Sequence, residues 1–216
     1  MVAIRAFWTD EDVPMSDTRT VTNASEPALA GTPDHPAARD LSPYLVHMTT
    51  SEGNLRSILA QEQIEARHPF GIAPYWAPHD EIRRRHLSAC FTEMPLAELR
   101  RMADGQTQRP YGLVFHKKLI RRQYGQPVWY MSDGSPACRA LRSMCEEAHL
   151  AERWDSPLWR ITPFIDKVQS PEYGNYDFQF EREWRVVDGF DFTSSQVAMI
   201  VNVSGEPLRS PELLAW

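Results

Sequence analysis

A histidine and a threonine two residues apart, His47 and Thr49 in YLVHMT, form the first group of side chains able to do chemistry. In a strand, residues i and i+2 point to the same face, so imidazole and hydroxyl would be presented together. They would stand beside a helix start, whose free N–H groups favour anionic or hydroxyl-bearing ligands. A core histidine satisfied by a backbone carbonyl fits the same residues equally well. The second group lies in FEREWRVV (180–187). Read as a strand, it puts Glu181, Glu183 and Arg185 on one face, with Trp184 and Val186 packed inward on the other. Arg185 would then keep Glu183 ionised in a cleft. The plain alternative is a cross-strand ladder of ion pairs.

The third group is EIRRRHLSACFTEMPLAEL (81–99). Arginine forks such as Arg84 and Arg85 suit a pyrophosphate. Phe91, at a strand end, could stack on a flat ring, with Thr92 beside it; a basic turn followed by a capping arrangement accounts for the same residues. His68, His79, His86 and Cys90 contain no close ligand pair of the usual zinc spacing, so no metal is expected. No third carboxylate joins Glu181 and Glu183 to complete a divalent-metal hydrolase or nuclease. Cys90 sits mid-strand, where burial disfavours a nucleophilic thiolate.

Several elements must position these residues. From Tyr44 the pattern becomes regular: a strand YLVHMT, then a helix capped by Ser51 with Leu55, Ile58 and Leu59 on one face. Residues 67–80, with three prolines and a glycine, read as a loop. Strands follow at LSACFT (87–92), YGLVFH (111–116) and PVWYM (127–131). Helices are expected at LAELRRMA ending at Gly105, at the basic HKKLIRRQY, and at 137–152. LWRITPF, DFQFEREWRVV (177–187) and VAMIVNV (197–203) read as further strands, and Pro211 as the start of a short helix. Strands first separated by helices and later in closer succession predict an α+β fold around mixed or split β-sheets with flanking helices. No G-x-G-x-x-G or G-x-x-x-x-G-K-[ST] occurs, which removes the Rossmann and P-loop nucleotide sites.

At 216 residues, the chain is long enough for one well-buried core. Residues 10–43 are rich in Asp, Thr, Ser, Ala and Pro and the MVAIRAFW ahead of them is apolar enough to dock, so 1–43 is expected to be a largely irregular N-terminal tail, with the folded domain at 44–216. No apolar run is long enough to span a membrane, and no secretory signal pattern is evident. Three irregularly spaced cysteines suit reduced thiols in a cytoplasm. The net charge is −6, yet residues 81–122 carry ten basic and four acidic side chains. A basic middle in an acidic protein suits a compact anionic ligand better than a long phosphate track.

The order of the motifs says more than any one of them. H-x-T leads into N-L-x-x-I-L; Phe-Thr runs into P-L-x-E-L; Y-G-L-V-F, P-V-W-Y and a late E-x-E-W-R-V strand follow. Over residues 43–203 this resembles the AbiGi-type abortive-infection proteins and, more distantly, the DarT-type ADP-ribosyltransferase toxins. The resemblance implies an ADP-ribosyltransferase-like fold with NAD, as substrate, bound between two small sheets. It implies that His47 holds a ribose with Thr49 nearby, and that Arg84 or Arg85 contacts the pyrophosphate. Phe91 and Thr92 would lie at the nicotinamide, although Phe-Thr-Glu departs from the usual second-strand motif. Glu183 would steady the oxocarbenium-like transition state, and Glu181 would position or deprotonate the acceptor. The function so implied is an NAD-dependent mono-ADP-ribosyltransferase, a toxin or phage-defence effector acting on a protein or nucleic-acid acceptor. A degenerate, non-enzymatic domain that binds a nucleotide or a partner protein, such as the neutralising half of a toxin pair, is the alternative. An NAD glycohydrolase would use the same site.

Overall fold

The computed structural model describes residues 42–95, 98–104, 108–168, 177–210 and 213. The expected tail up to residue 41, the start of the LAELRRMA helix at 96–97, its stop at Gly105 and the helix opening at Pro211 lie outside these. In chain order the elements begin with β1 (Tyr44–Thr49), α1 (Glu52–Gln61), β2 (Gln63–Ile64), β3 (His68–Pro69), α2 (Ala73–Trp76), α3 (Asp80–Arg85) and β4 (Leu87–Thr92). They continue with α4 (Arg100–Asp104), β5 (Tyr111–His116), α5 (Lys117–Arg122), β6 (Gln126–Pro127), β7 (Trp129–Met131) and α6 (Pro136–Leu150). The last are α7 (Leu158–Ile161), β8 (Ile165–Lys167), β9 (Glu183–Val187), β10 (Phe190–Asp191) and β11 (Val197–Asn202). The fold is α+β.

The main sheet has seven strands in the order β11-β5-β1-β4-β9-β6, with β3 also on β4, and every pairing in it is antiparallel. Parallel pairing occurs between β7 and β8, which form a separate two-stranded sheet. The main sheet is nearly split along its middle. β1 pairs with β5 along all six of its residues, but meets β4 only at Val46 opposite Thr92. The halves β11-β5-β1 and β4-β9-β6 therefore diverge from that one contact.

Strand alternation sorts the core into two layers. Leu45, Leu113, Phe115, Ala89, Phe91, Trp184 and Val186 point to one face, where Leu55 and Leu59 of α1 and Phe190 and Phe192 cover them. Phe91, Phe115 and Phe190 meet there edge-to-face, with ring centroids 5.1–6.1 Å apart, the arrangement that aromatic quadrupoles favour. Val46, Met48 and Val114 point to the opposite face, against Met94, Leu99 and Met102.

Local chemistry starts the helices where the sequence suggests. Ser51 accepts from the Asn54 N–H at 3.1 Å to open α1, and Ser135, ahead of Pro136, accepts from Cys138 at 3.1 Å to open α6. The loop expected at 67–80 also contains β3 and α2. Its Gly71 has a φ of 95° and lies against the 162–163 backbone, so a Cβ there would collide with the Thr162 carbonyl. Gly71→Ala is expected to cost about 1–3 kcal/mol in a urea titration; an unchanged midpoint would show that this approach relaxes freely.

Two expected strands are different structures. LWRITPF forms α7 and a 3₁₀ turn (Thr162–Phe164), because Pro157 and Pro163 suit helical first turns and remove ladder donors. DFQFEREWRVV is divided: Phe178–Glu181 is a 3₁₀ turn capped by Asp177, Arg182 is left-handed with a φ of 47°, and the strand begins only at Glu183. Glu181 therefore does not share Glu183's strand face. PVWYM is interrupted at Val128, whose N–H donates to the Glu183 carbonyl at 2.8 Å.

Candidate functional site

At the first residue of β9, opposite Thr92, Glu183 points away from the Trp184 face. Arg185, two residues on and opposite Cys90, points the same way and is 2% exposed. Its guanidinium grips the Glu183 carboxylate with two donors, Nε to Oε1 at 3.0 Å and Nη2 to Oε2 at 2.8 Å. Nη2 also reaches Asp166 Oδ2 at 2.8 Å, and Nη1 donates to the Pro163 carbonyl at 2.7 Å. The Phe70 ring lies 5.0 Å beneath the guanidinium carbon. Tyr130 donates its hydroxyl to Glu183 Oε2 at 2.8 Å. Parallel pairing of β7 with β8 sets Tyr130 opposite Asp166, which brings both to the same arginine–glutamate pair.

The electrostatics follow from this packing. Burial pushes the Glu183 carboxyl up, but the Arg185 charge and its hydrogen bonds, with those from Cys90 and Tyr130, hold it below the usual carboxylate range. Burial works against the Arg185 cation, yet Glu183 and Asp166 hold its pKa well above the ordinary value. Burial first, then the negative Glu183, push the Tyr130 phenol and the Cys90 thiol far up. Cys90 is therefore kept protonated and is not a nucleophile. A carboxylate offers about four acceptor positions, and here Arg185 Nε, Arg185 Nη2 and the Tyr130 hydroxyl take three of them.

His47 lies on the other side of the sheet. It alternates with Val46 and Met48, and its ring meets Phe91 at 5.9 Å in the opposite core layer from Glu183. Its Nδ1 donates to the Cys90 carbonyl at 2.9 Å, bridging the two strands where their ladder has opened. Burial lowers its pKa to about 4, so the ring is neutral, and Nε2 is left as an acceptor. The reading of His47 as a histidine satisfied by a backbone carbonyl thus matches the geometry. Thr49, its face partner, is 8% exposed.

The other sequence-derived candidates are occupied by structural work. Phe91, 2% exposed, belongs to the aromatic core and is not placed to stack on a ligand. The Thr92 hydroxyl donates to the Glu181 carbonyl and accepts from the Met94 N–H at 3.1 Å. Buried Glu93 accepts from Trp184 Nε1 at 2.8 Å and pairs with Lys117. Arg84 and Arg85, on α3, both pair with Glu81 and line a cavity that neither Glu183 nor His47 enters. Glu181 is buried at the end of its turn. Sequence reasoning missed Tyr130 and Asp166, which only the pairing of β7 with β8 brings to the centre. Among the described residues no group of three or more His, Cys, Asp or Glu is gathered to hold a metal ion, and no helix is long and apolar enough to cross a membrane.

The molecule is thus an α+β protein with a split antiparallel sheet and a buried arginine–carboxylate centre on one face of it. Residues 79–208 match the model of the family described as "Putative abortive phage resistance protein AbiGi, antitoxin", and the chain belongs to this AbiGi family. The matched stretch contains Arg84, Arg85, Glu183 and Arg185 but not His47. No curated protein and no solved structure matches the chain.

Proposed function

We propose that this chain is the neutralising half of an abortive-infection pair, acting by binding a partner protein and not by consuming NAD. The family's description as an antitoxin supports the role. The observation that carries it is the Glu183 carboxylate, whose two oxygens are already taken by Arg185 and Tyr130. A transferase glutamate must have acceptor capacity for the ribose and a field aimed at the developing cation. Here the nearest charge, Arg185, is itself positive and would oppose that cation.

The transferase reading keeps two supports. Glu183 is ionised, and the neutral His47 offers Nε2 as an acceptor for a hydroxyl such as that of a ribose. On that reading the protein is an NAD-dependent mono-ADP-ribosyltransferase or glycohydrolase on a transferase-like sheet. One assay separates the two: purified protein is incubated with NAD, with and without cell lysate as acceptor source, and free nicotinamide is measured. The expected result is none. Release that Glu183→Gln abolishes would overturn the neutralising role in favour of the transferase. In cells carrying the complete defence system, removing this chain alone is expected to arrest growth without phage; unimpaired growth would also count against it.

A further inference from the structure

The cavity beside α3 has a volume of about 550 Å³, within the range of small-ligand sites. Arg84, Arg85 and Arg160 line it, with Tyr124 and Phe164 supplying aromatic surface and Glu81 and Asp188 the acidic groups. One Glu81 carboxylate serves both Arg84, at 2.5 Å, and Arg85, at 2.9 Å, so that group keeps one uncompensated positive charge. Arg160 is exposed on α7 and has no ion-pair partner among the described residues. Three guanidiniums against two carboxylates give the lining an excess of one positive charge, in forks that match phosphate oxygens.

Tyr124 is the second element. It follows α5 in a left-handed conformation with a φ of 61°, and its side chain is 86% exposed at the cavity wall. The N–H groups of Tyr124 and Gly125 donate to Arg121 and Ile120 carbonyls at 3.0 and 2.9 Å, fixing the backbone that presents the ring. A large apolar ring held in water beside a basic cavity is suited to stacking on a base, and it leaves little else for the ring to do.

The geometry points to a nucleotide-phosphate site in this cavity, with phosphate oxygens on Arg84, Arg85 and Arg160 and the base on Tyr124. It borders the Glu183 centre through Pro163, whose carbonyl takes Arg185 Nη1, but neither Glu183 nor Arg185 lines it: the cavity meets β9 at Val187, four residues beyond Glu183 and roughly 13 Å along the strand. The ligand is a phosphorylated nucleoside, either a free nucleotide or the 5′-phosphorylated end of a single-stranded RNA. The assignment is independent of the neutralising role, because its test contains no partner protein and reads no NAD turnover.

Binding of ATP, AMP, a 5′-phosphorylated RNA hexamer and inorganic phosphate would be measured by calorimetry on the full chain at constant ionic strength. Arg160→Glu and Arg84→Glu are expected to weaken nucleotide binding about tenfold or more. Tyr124→Ala should weaken the nucleotides severalfold and leave inorganic phosphate unchanged. Arg142→Glu, a charge change on the exposed surface of α6, serves as the control for general electrostatics and should have little effect. Tighter binding of mononucleotide than of hexamer would identify the free nucleotide as the ligand; the reverse would identify the strand end. No binding by any nucleotide probe overturns the site. So does binding that Arg142→Glu weakens as much as Arg160→Glu, or binding that Tyr124→Ala leaves intact. The cavity variants alter exposed side chains, and unchanged thermal unfolding would verify that each is folded.

Discussion

Arg185→Met is expected to lower the unfolding free energy by about 3–5 kcal/mol, the effect of removing one partner from a buried ion pair. Methionine fills much of the same volume and rests on Phe70, so lost packing contributes little. The loss comes from the groups left behind. Glu183 and Asp166 would remain near each other without their shared cation, and the Pro163 carbonyl would lose its donor. Glu183 would then be pushed up by burial with only Tyr130 and Cys90 to hold it down. Glu183→Gln should be milder, about 1–3 kcal/mol, because Arg185 keeps Asp166, the Pro163 carbonyl and the Phe70 ring. The double variant should be more stable than the sum of the two losses predicts, since the uncompensated Glu183 charge disappears with its partner. Urea unfolding of the three proteins measures all of this. For a domain of this size the Arg185→Met loss corresponds to roughly 6–20 °C in melting temperature. An unaltered midpoint would mean that the centre is hydrated and its charges are screened.

The same centre marks how far the sequence could be read. Alternation in EWRVV correctly separates Trp184 and Val186 from Glu183 and Arg185, because both faces of β9 are constrained, one by the core and one by the ion network. Alternation fails one residue earlier. Asp177 caps a 3₁₀ turn, and the left-handed Arg182 breaks the strand period, so Glu181 cannot be carried over from Glu183. A polar run such as DFQFER fits a turn or a strand equally well until its tertiary partners, Thr92 and Glu93, are known. His47 is legible as an unusual residue in an apolar strand, but its reason is nonlocal. The sheet opens between β1 and β4, and a side chain supplies the hydrogen bond that the ladder does not. Tyr130 and Asp166 carry no local signal, since each lies in a three-residue strand whose partner is over thirty residues away. Arg84 and Arg85 are legible as forks for phosphate; their separation from Glu183 depends on where α3 packs, which spacing along the chain does not encode.

Acid is expected to destabilise the protein in two steps, the first of them carried by histidine. His86 is fully buried at the end of α3; its Nδ1 donates to the Ile82 carbonyl at 2.6 Å, and the Thr162 hydroxyl meets Nε2 at 2.8 Å. Burial, aided by the nearby Arg185 charge and opposed by the Ile82 bond, lowers its pKa to about 4. The unfolded chain binds that proton near pH 6.5. Between these values the unfolded state holds more protons than the folded one, so stability falls as pH falls from about 6.5 to 4 and is flat above. Holding an imidazole neutral over that interval corresponds to about 3 kcal/mol at its full extent. His47, with a pKa also lowered to about 4, adds to the same window. Glu183 is held below the ordinary carboxylate range, so its contribution is fully present above the ordinary carboxylate pKa and begins to be lost only at the acid end of the histidine window. Urea midpoints measured from pH 8 to pH 4 should therefore be constant down to about 6.5 and then decline. His86→Gln retains a donor and an acceptor of similar reach but cannot charge, so it should flatten the slope, and adding His47→Gln should flatten it further. A wild-type midpoint that does not move between pH 6.5 and pH 4 would mean that both imidazoles charge without leaving their places, and that the contacts around α3 and across the split sheet accommodate cations.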